Sequence, residues 1–150
     1  MEEVARLDLP LKLTLGRKNY ALNLNFYRNA HYQILNHLKV SFTELVEPEL
    51  KKLPKLSKAN LTYTYYPGSK RLSDTANVCS IVDKFFCDAL VRSGVIPDDN
   101  YTYIPNVSYN YGSIDKENPR VTVLISGEKE NASHDCWKWN QGSYSPLLEE

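Results

Sequence analysis

One stretch, residues 71–99, places the strongest constraint on what this chain can fold into. Ser73, Asp74 and Thr75 are good residues for a helix N-cap, and Gly94 is typical of a helix stop. Between these signals, apolar residues recur at helical spacing on one side: Val78, Val82, Phe85, Phe86 and Ala89. The pattern predicts a helix of about four to five turns with its apolar face in the core.

The same helix carries a polar stripe that starts near a carboxylate. Its members share a face different from the apolar one: Asn77, Ser80, Lys84 and Asp88. Asp74 precedes the stripe, and Asp98 and Asp99 follow the helix. A loop returning toward the stripe would bring Asp99 near Asp74. Carboxylates beside a lysine are suited to hold a hard divalent cation that acts on a phosphate.

These residues resemble the RusA-type Holliday-junction resolvases, small endonucleases common in phages and prophages. The family pattern is Asp-x-Asp-Asn, a Lys on the following helix, Asp-Ala-Leu, and then Gly with a hydrophobic run that ends in Asp-Asp. In this chain the pattern becomes Asp74-Thr75-Ala76-Asn77, Lys84, Asp88-Ala89-Leu90 and Gly94-Val95-Ile96-Pro97-Asp98-Asp99. The match needs no gap after Asp88, and about four extra residues, roughly one helical turn, before Lys84.

The predicted fold is α+β, with a small mixed β-sheet, two principal helices and a closing hairpin. The resemblance implies an endonuclease domain over residues 1–126, a homodimer, and a polar extension over 127–150. It implies hydrolysis of phosphodiester bonds in Holliday junctions or other branched DNA, with Mg²⁺ or Mn²⁺ as the cofactor. The implied catalytic residues are Asp74, Lys84 and Asp99, and the implied metal ligands are Asp74, Asp98 and Asp99.

One departure from the family pattern opens an alternative. Ala76 stands at the second Asp of the family and cannot bind a metal ion. A chain that has lost this ligand would bind branched DNA, or a host protein, without cleaving it. The three cysteines and three histidines have no metal-ligand spacing that would supply a zinc site instead.

Cations concentrate in the first part of a chain whose formal net charge is zero. Residues 1–80 hold 12 Lys and Arg against 7 Asp and Glu, a net of +5, whereas residues 81–150 hold 6 against 11, a net of −5. A basic surface beside a carboxylate cleft suits a nuclease, and an evenly mixed surface is the alternative. The predicted DNA contacts are Arg17, Lys18, Asn25, Arg28, Lys51, Lys52, Lys55, Lys58, Lys70, Arg71 and Asn77.

Apolar periodicity predicts the remaining elements. They are a strand over 7–15 that lies at a sheet edge near Pro10, a helix over 30–46 that Pro48 ends or breaks, a strand over 60–66, and a hairpin of 101–111 with 120–126. No apolar run reaches the ~20 residues that span a membrane, and the N-terminus lacks an apolar signal segment. The sequence therefore predicts a cytoplasmic location, in the host cell if a phage encodes the chain, with no membrane partner.

Overall fold

A computed structural model describes residues 2–70 and 74–130 of the chain. The elements are β1 (Glu2–Leu9), β2 (Lys12–Leu15), β3 (Lys18–Ala21), α1 (Leu24–Asn29), α2 (Tyr32–Leu50), β4 (Leu56–Tyr66), α3 (Thr75–Arg92), β5 (Asn106–Tyr111) and β6 (Arg120–Lys129). Within the described ranges, a four-stranded mixed sheet, a separate two-stranded sheet and three helices confirm the α+β class. The short helix α1 is additional to the two principal helices that the sequence predicted.

The main sheet has the strand order β1-β6-β4-β5. β6 is antiparallel to both of its neighbours, whereas β4 and β5 are parallel. Parallel neighbours need a crossover connection, and α3 supplies it. The predicted hairpin of 101–111 with 120–126 is therefore wrong, because β4 lies between β5 and β6. The crossover places β5 on one edge of β4, and the other edge is free to pair with β6.

The alternating leucines of residues 7–15 form two strands, where the sequence predicted one. β1 ends at Leu9 and β2 begins at Lys12, because Pro10 has no N–H with which to continue a ladder. β1 is an edge strand of the main sheet, as predicted from Pro10. The chain then turns at Gly16, whose φ of 66° favours glycine, and forms the hairpin of β2 and β3.

Helix α2 extends through Pro48 and ends at Leu50, beyond the predicted end at 46. The turn after Pro48 is held because Leu50 is buried and Lys51 donates its backbone N–H to the carbonyl of Glu47. Leu38 and Phe42 of α2 are buried, whereas Leu45 is 59% exposed although its spacing from them is helical. The buried stripe of α2 therefore does not include Leu45.

Helix α3 matches the sequence prediction in its extent and its buried face. Asp74 is the N-cap, and Gly94 follows the helix with a φ of 77°. The predicted core residues Val78, Val82, Phe85, Phe86 and Ala89 are all buried. α3 packs against α2, β4 and β5, and Phe42 of α2 meets Phe85 edge-on with ring centroids 5.8 Å apart. α3 is thus the central helix of the domain.

The last strand, β6, continues to Lys129, beyond the domain end predicted at 126. Glu130 donates its backbone N–H to the carbonyl of Lys55, which ties the end of β6 to the start of β4. The rest of the predicted extension, residues 131–150, lies outside the described residues. In the described part of the chain, no helix has the length and apolar character needed to cross a membrane.

Candidate nucleic-acid interface

A cleft of about 640 Å³ opens where α3 begins. Its walls come from the base of the β2–β3 hairpin, the segment before α1, the end of β4 and the first turn of α3. The polar residues of its lining are Lys12, Asn23, Ser69, Asp74 and Asn77. Two of the predicted site residues, Asp74 and Asn77, therefore lie in one cleft.

Asp74 starts α3 and is exposed. Its Oδ1 accepts a hydrogen bond of 3.0 Å from the backbone N–H of Ala76, the usual geometry of an aspartate N-cap. A carboxylate accepts several hydrogen bonds or binds a cation through its second oxygen. Asp74 therefore has a structural role in the helix and keeps capacity to bind a ligand at the cleft.

Asn77 connects α3 to α1. Its Oδ1 accepts a hydrogen bond of 2.8 Å from the backbone N–H of Leu24, the first residue of α1. The side chain of Asn23 caps the same helix and accepts from the N–H of Phe26 at 2.8 Å. The side-chain amide of Asn77 also has two N–H donors, the groups that bond phosphate oxygens. The predicted DNA contact is thus also a structural link between two helices.

Exposed cations lie on the segments that form the cleft. They are Lys12, Arg17 and Lys18 on the β2–β3 hairpin, Arg28 at the end of α1, and Lys70 next to Ser69. Among the described residues, none of these five has an ion-pair partner within 4.0 Å. Asn25 is also exposed on α1 and accepts a hydrogen bond from Asn29. Arg71 lies outside the described residues.

Lys84 lies farther along the same side of α3, about 10 Å from Asn77 along the helix axis. It is exposed, and its Nζ is 5.7 Å from the centroid of the Tyr27 ring. Tyr27 belongs to α1 and packs edge-on against Phe85 with centroids 6.5 Å apart. Lys84 therefore extends the cationic surface from the cleft along the contact between α1 and α3.

Asp98 and Asp99 lie at the opposite end of α3 from Asp74. The helix has 18 residues, a length of about 27 Å. The segment after it is bound to the start of β4, because Val95 accepts from the N–H of Leu56 and Tyr103 accepts from the N–H of Ala59. The predicted return of this loop toward Asp74 is therefore wrong within one copy.

The described residues of a single copy do not fit the expected divalent cation. They contain no group of three or more His, Cys, Asp or Glu side chains placed to hold a metal ion. Asp98 is engaged locally: it accepts from the N–H of Asp99 at 2.7 Å and from the side-chain amide of Asn100 at 3.0 Å. One copy thus separates the carboxylates that the resemblance brings together.

The polar cluster around Asp83 is a feature that sequence reasoning missed. Asp83 accepts hydrogen bonds from the hydroxyl of Tyr63 at 2.6 Å, the thiol of Cys87 at 3.2 Å and the hydroxyl of Tyr109 at 3.3 Å. Burial, followed by the charge of Asp83, raises the pKa of Tyr63 and of Cys87, and the charge of Asp99 contributes at Cys87. The i, i+4 spacing of Asp83 and Cys87 was the available signal, but their tyrosine partners are distant in sequence.

Four of the predicted DNA contacts, Lys51, Lys52, Lys55 and Lys58, lie away from the cleft. Lys51 and Lys52 follow α2 and lie 3.9 Å from Glu47 and 3.2 Å from Glu49, respectively. Lys55 precedes β4 and Lys58 lies near the start of that strand, whereas the cleft is at the far end of β4. In one copy, these four lysines are therefore remote from Asp74.

Comparison with models of known protein families gives no match to this chain. No curated protein matches it either. A proposal for the function of this chain therefore depends on the resemblance of residues 74–99 to the family pattern and on the geometry of the cleft.

Proposed function

We propose that this chain binds branched DNA, such as four-way junctions, with a phosphate backbone lying over the cleft at the start of α3. The supporting observation is the set of cations, on the segments that form the cleft, that have no ion-pair partner among the described residues. Lysine and arginine contacts to phosphates supply most of the sequence-independent affinity of DNA-binding proteins. Asn23 and Asn77 add the hydrogen-bonding groups that position a backbone.

The enzymatic part of the proposal is metal-dependent endonuclease activity of a homodimer. Bound Mg²⁺ or Mn²⁺ polarises a phosphate and lowers the pKa of water. Among the described residues, the carboxylates of a single copy do not fit such an ion. A dimer suits the substrate, because a four-way junction has near-two-fold symmetry and two strands to cut.

A non-enzymatic function is the second candidate, and Ala76 favours it. Ala76 is exposed in the first turn of α3 and lies next to the N-cap carboxylate of Asp74. An aspartate at this position would add a second carboxylate to the first turn of α3, and alanine adds none. A protein of this kind would hold branched DNA, or a host protein, without cutting.

The binding proposal is tested by the affinity for a synthetic four-way junction over a series of salt concentrations. Reversing two hairpin cations, Arg17→Glu with Lys18→Glu, should weaken junction binding. It should also reduce the slope of log affinity against log salt concentration by about 2, since each lost phosphate contact removes ~0.9 from that slope. The matched control is Lys51→Glu with Lys52→Glu, which changes the same charge at ion-paired positions away from the cleft. Equal effects of the two double variants would contradict a binding surface at the cleft.

The enzymatic proposal is tested on the same junctions with Mg²⁺ and with Mn²⁺. Appearance of nicked strands that depends on the metal and is lost in Asp74→Asn would support the endonuclease. Junction binding without nicking under either metal would favour the non-enzymatic candidate. Binding and cleavage are measured separately, so one result does not decide the other.

A further inference from the structure

The ammonium group of Lys84 lies over an aromatic ring instead of beside an acid. Its Nζ is 5.7 Å from the centroid of the Tyr27 ring, and Lys84 forms no ion pair with any described residue. A cation within about 6 Å of a tyrosine ring is attracted by the negative face of that ring. Unlike a carboxylate, the ring has no net charge, so it orients the ammonium and leaves its positive charge for an anion.

The Tyr27 ring is itself held by contacts that lead into the core. It meets the ring of Phe85 edge-on, with centroids 6.5 Å apart. Phe85 is fully buried and meets Phe42 of α2 in the same way at 5.8 Å. Phe85 directly follows Lys84 in α3, so one turn of this helix fixes the ring and also carries the cation that lies over it.

Helix α1 depends on α3 for its position, because none of its own residues is buried. The start of α1 is held by the Asn23 cap and by Asn77, whose Oδ1 accepts from the N–H of Leu24 at 2.8 Å. Tyr27 makes the next contact along α1, one turn later. The two polar residues of α3 that meet α1, Asn77 and Lys84, therefore lie along one contact between the helices.

A second cation is placed against α1 in a similar way. The Nζ of Lys18 is 5.8 Å from the centroid of the Tyr20 ring, and the Tyr20 ring packs against Phe26 with centroids 5.4 Å apart. Phe26 and Tyr27 are successive residues of a helix, so their side chains differ in direction by about 100°. Two aromatic residues of this short helix thus support one cation from the β2–β3 hairpin and one from α3.

We propose that Tyr27 is a positioning residue for Lys84, whose ammonium it holds at the contact between α1 and α3 in the orientation that binds a phosphate oxygen of DNA. The inference rests on the DNA binding of the proposed function and names a residue that sets its geometry. Lysine has a flexible four-carbon stem and loses rotamer freedom when it binds. A ring that restricts Lys84 before DNA arrives reduces that loss.

The ring of Tyr27, and not its hydroxyl, makes the contacts with Lys84 and Phe85. Tyr27→Phe should therefore preserve the arrangement, whereas Tyr27→Leu keeps an apolar side chain but removes the ring. The pair of variants separates an effect of the ring from a general effect of packing. Circular dichroism spectra of both variants should match that of the wild type.

The position of Lys84 is measured first without DNA, by NMR of the full chain. The ring current of Tyr27 should shift the Cε–H resonances of Lys84 to lower frequency, and Tyr27→Leu should abolish this shift while Tyr27→Phe keeps it. Tyr20→Leu is the matched control: it removes the ring beside Lys18 and should leave the Lys84 resonances in place. A wild type without the shift, or a shift that survives in Tyr27→Leu, would overturn the inference.

The effect on binding is measured with a synthetic four-way junction. Tyr27→Leu should weaken junction affinity about two- to fivefold, the range expected for one exposed cation–π contact, and Tyr27→Phe should retain it. In a Lys84→Met background, Tyr27→Leu should cause no further loss, because Tyr27 acts through Lys84. Equal losses in the two backgrounds would overturn the inference.

Failure of the inference and failure of the proposed function give different results. A wild-type chain without affinity for the junction would contradict the proposed function. Junction binding by the wild type that is unchanged in Tyr27→Leu would overturn the positioning role of Tyr27 alone.

Discussion

The hydroxyl of Tyr63 donates a hydrogen bond of 2.6 Å to Oδ1 of Asp83 and so joins the centre of β4 to the centre of α3. Tyr63 is fully buried and its ring meets that of Phe86 edge-on, with centroids 6.4 Å apart. Tyr109 of β5 donates to the other carboxylate oxygen at 3.3 Å. One carboxylate thus fixes α3 to both strands of the parallel pair, and it sets the position of the β5 edge.

Removing the Tyr63 hydroxyl should destabilise the fold. In Tyr63→Phe, Asp83 loses its shortest hydrogen bond, and the free energy of unfolding should fall by about 1–2 kcal/mol. Chemical denaturation of the variant and the wild type measures this difference. Tyr101→Phe is the matched control, because Tyr101 is 84% exposed and should give no measurable change. Equal stability of Tyr63→Phe and wild type would contradict a stabilising role for the bond.

Two substitutions of Asn77 should distinguish its contribution to fold stability from its contribution to DNA binding. Asn77→Ala removes the acceptor for the N–H of Leu24, so the free energy of unfolding should fall by about 1 kcal/mol and junction affinity should fall with it. Asn77→Asp keeps an acceptor and should retain stability, but its added negative charge should weaken junction binding. Denaturation curves and junction titrations of both variants measure the two effects. Unchanged junction affinity in Asn77→Asp would show that this side chain does not face a phosphate.

Helix α3 could be predicted from sequence because its signals are local. The N-cap Asp74, the apolar spacing and the stop at Gly94 all lie within the segment that they specify. The same holds for the edge position of β1 next to Pro10. These features depend on backbone geometry and on burial of one helical face, which a single sequence displays directly.

The failed predictions concern contacts between distant segments. Whether β5 pairs with β4 or β6 depends on the crossover through α3, which no local pattern specifies. The separation of Asp74 from Asp99 has the same origin, since hydrogen bonds from β4 hold the loop after α3. The distance of Lys51, Lys52, Lys55 and Lys58 from the cleft also depends on the fold, since α2 ends and β4 begins at the end of β4 opposite Asp74.

Stability should decrease at alkaline pH because of the thiol of Cys79. Burial, followed by the charge of Asp83, raises the pKa of Cys79 from its ordinary value of 9.0 to about 12. The unfolded chain loses this proton at lower pH than the folded chain does. The stabilisation is therefore fully present below pH 9 and is lost as the pH rises toward 12. Denaturation curves across this range should show a falling free energy of unfolding, with a smaller fall in Cys79→Ala; identical slopes would contradict the assignment.

Position 76 provides the sharpest test of the site. Ala76→Asp adds a carboxylate to the first turn of α3 next to Asp74, where the helix N-terminus favours negative charge. A further anionic ligand strengthens a hard-cation site, so Mn²⁺ affinity and the rate of junction cleavage should both rise above wild type. Calorimetry and a nicking assay on four-way junctions measure them.

The controls for position 76 use its neighbours on α3. Thr75→Asp adds the same charge one residue away, on a different side of the helix, and should give neither gain. Asp74→Asn in the Ala76→Asp background should remove Mn²⁺ binding and cleavage. It should leave junction binding intact, because binding depends on cations such as Arg17 and Lys70. If Thr75→Asp matches Ala76→Asp, or if Asp74→Asn costs no cleavage, the start of α3 is not a nuclease centre and the non-enzymatic function should replace it.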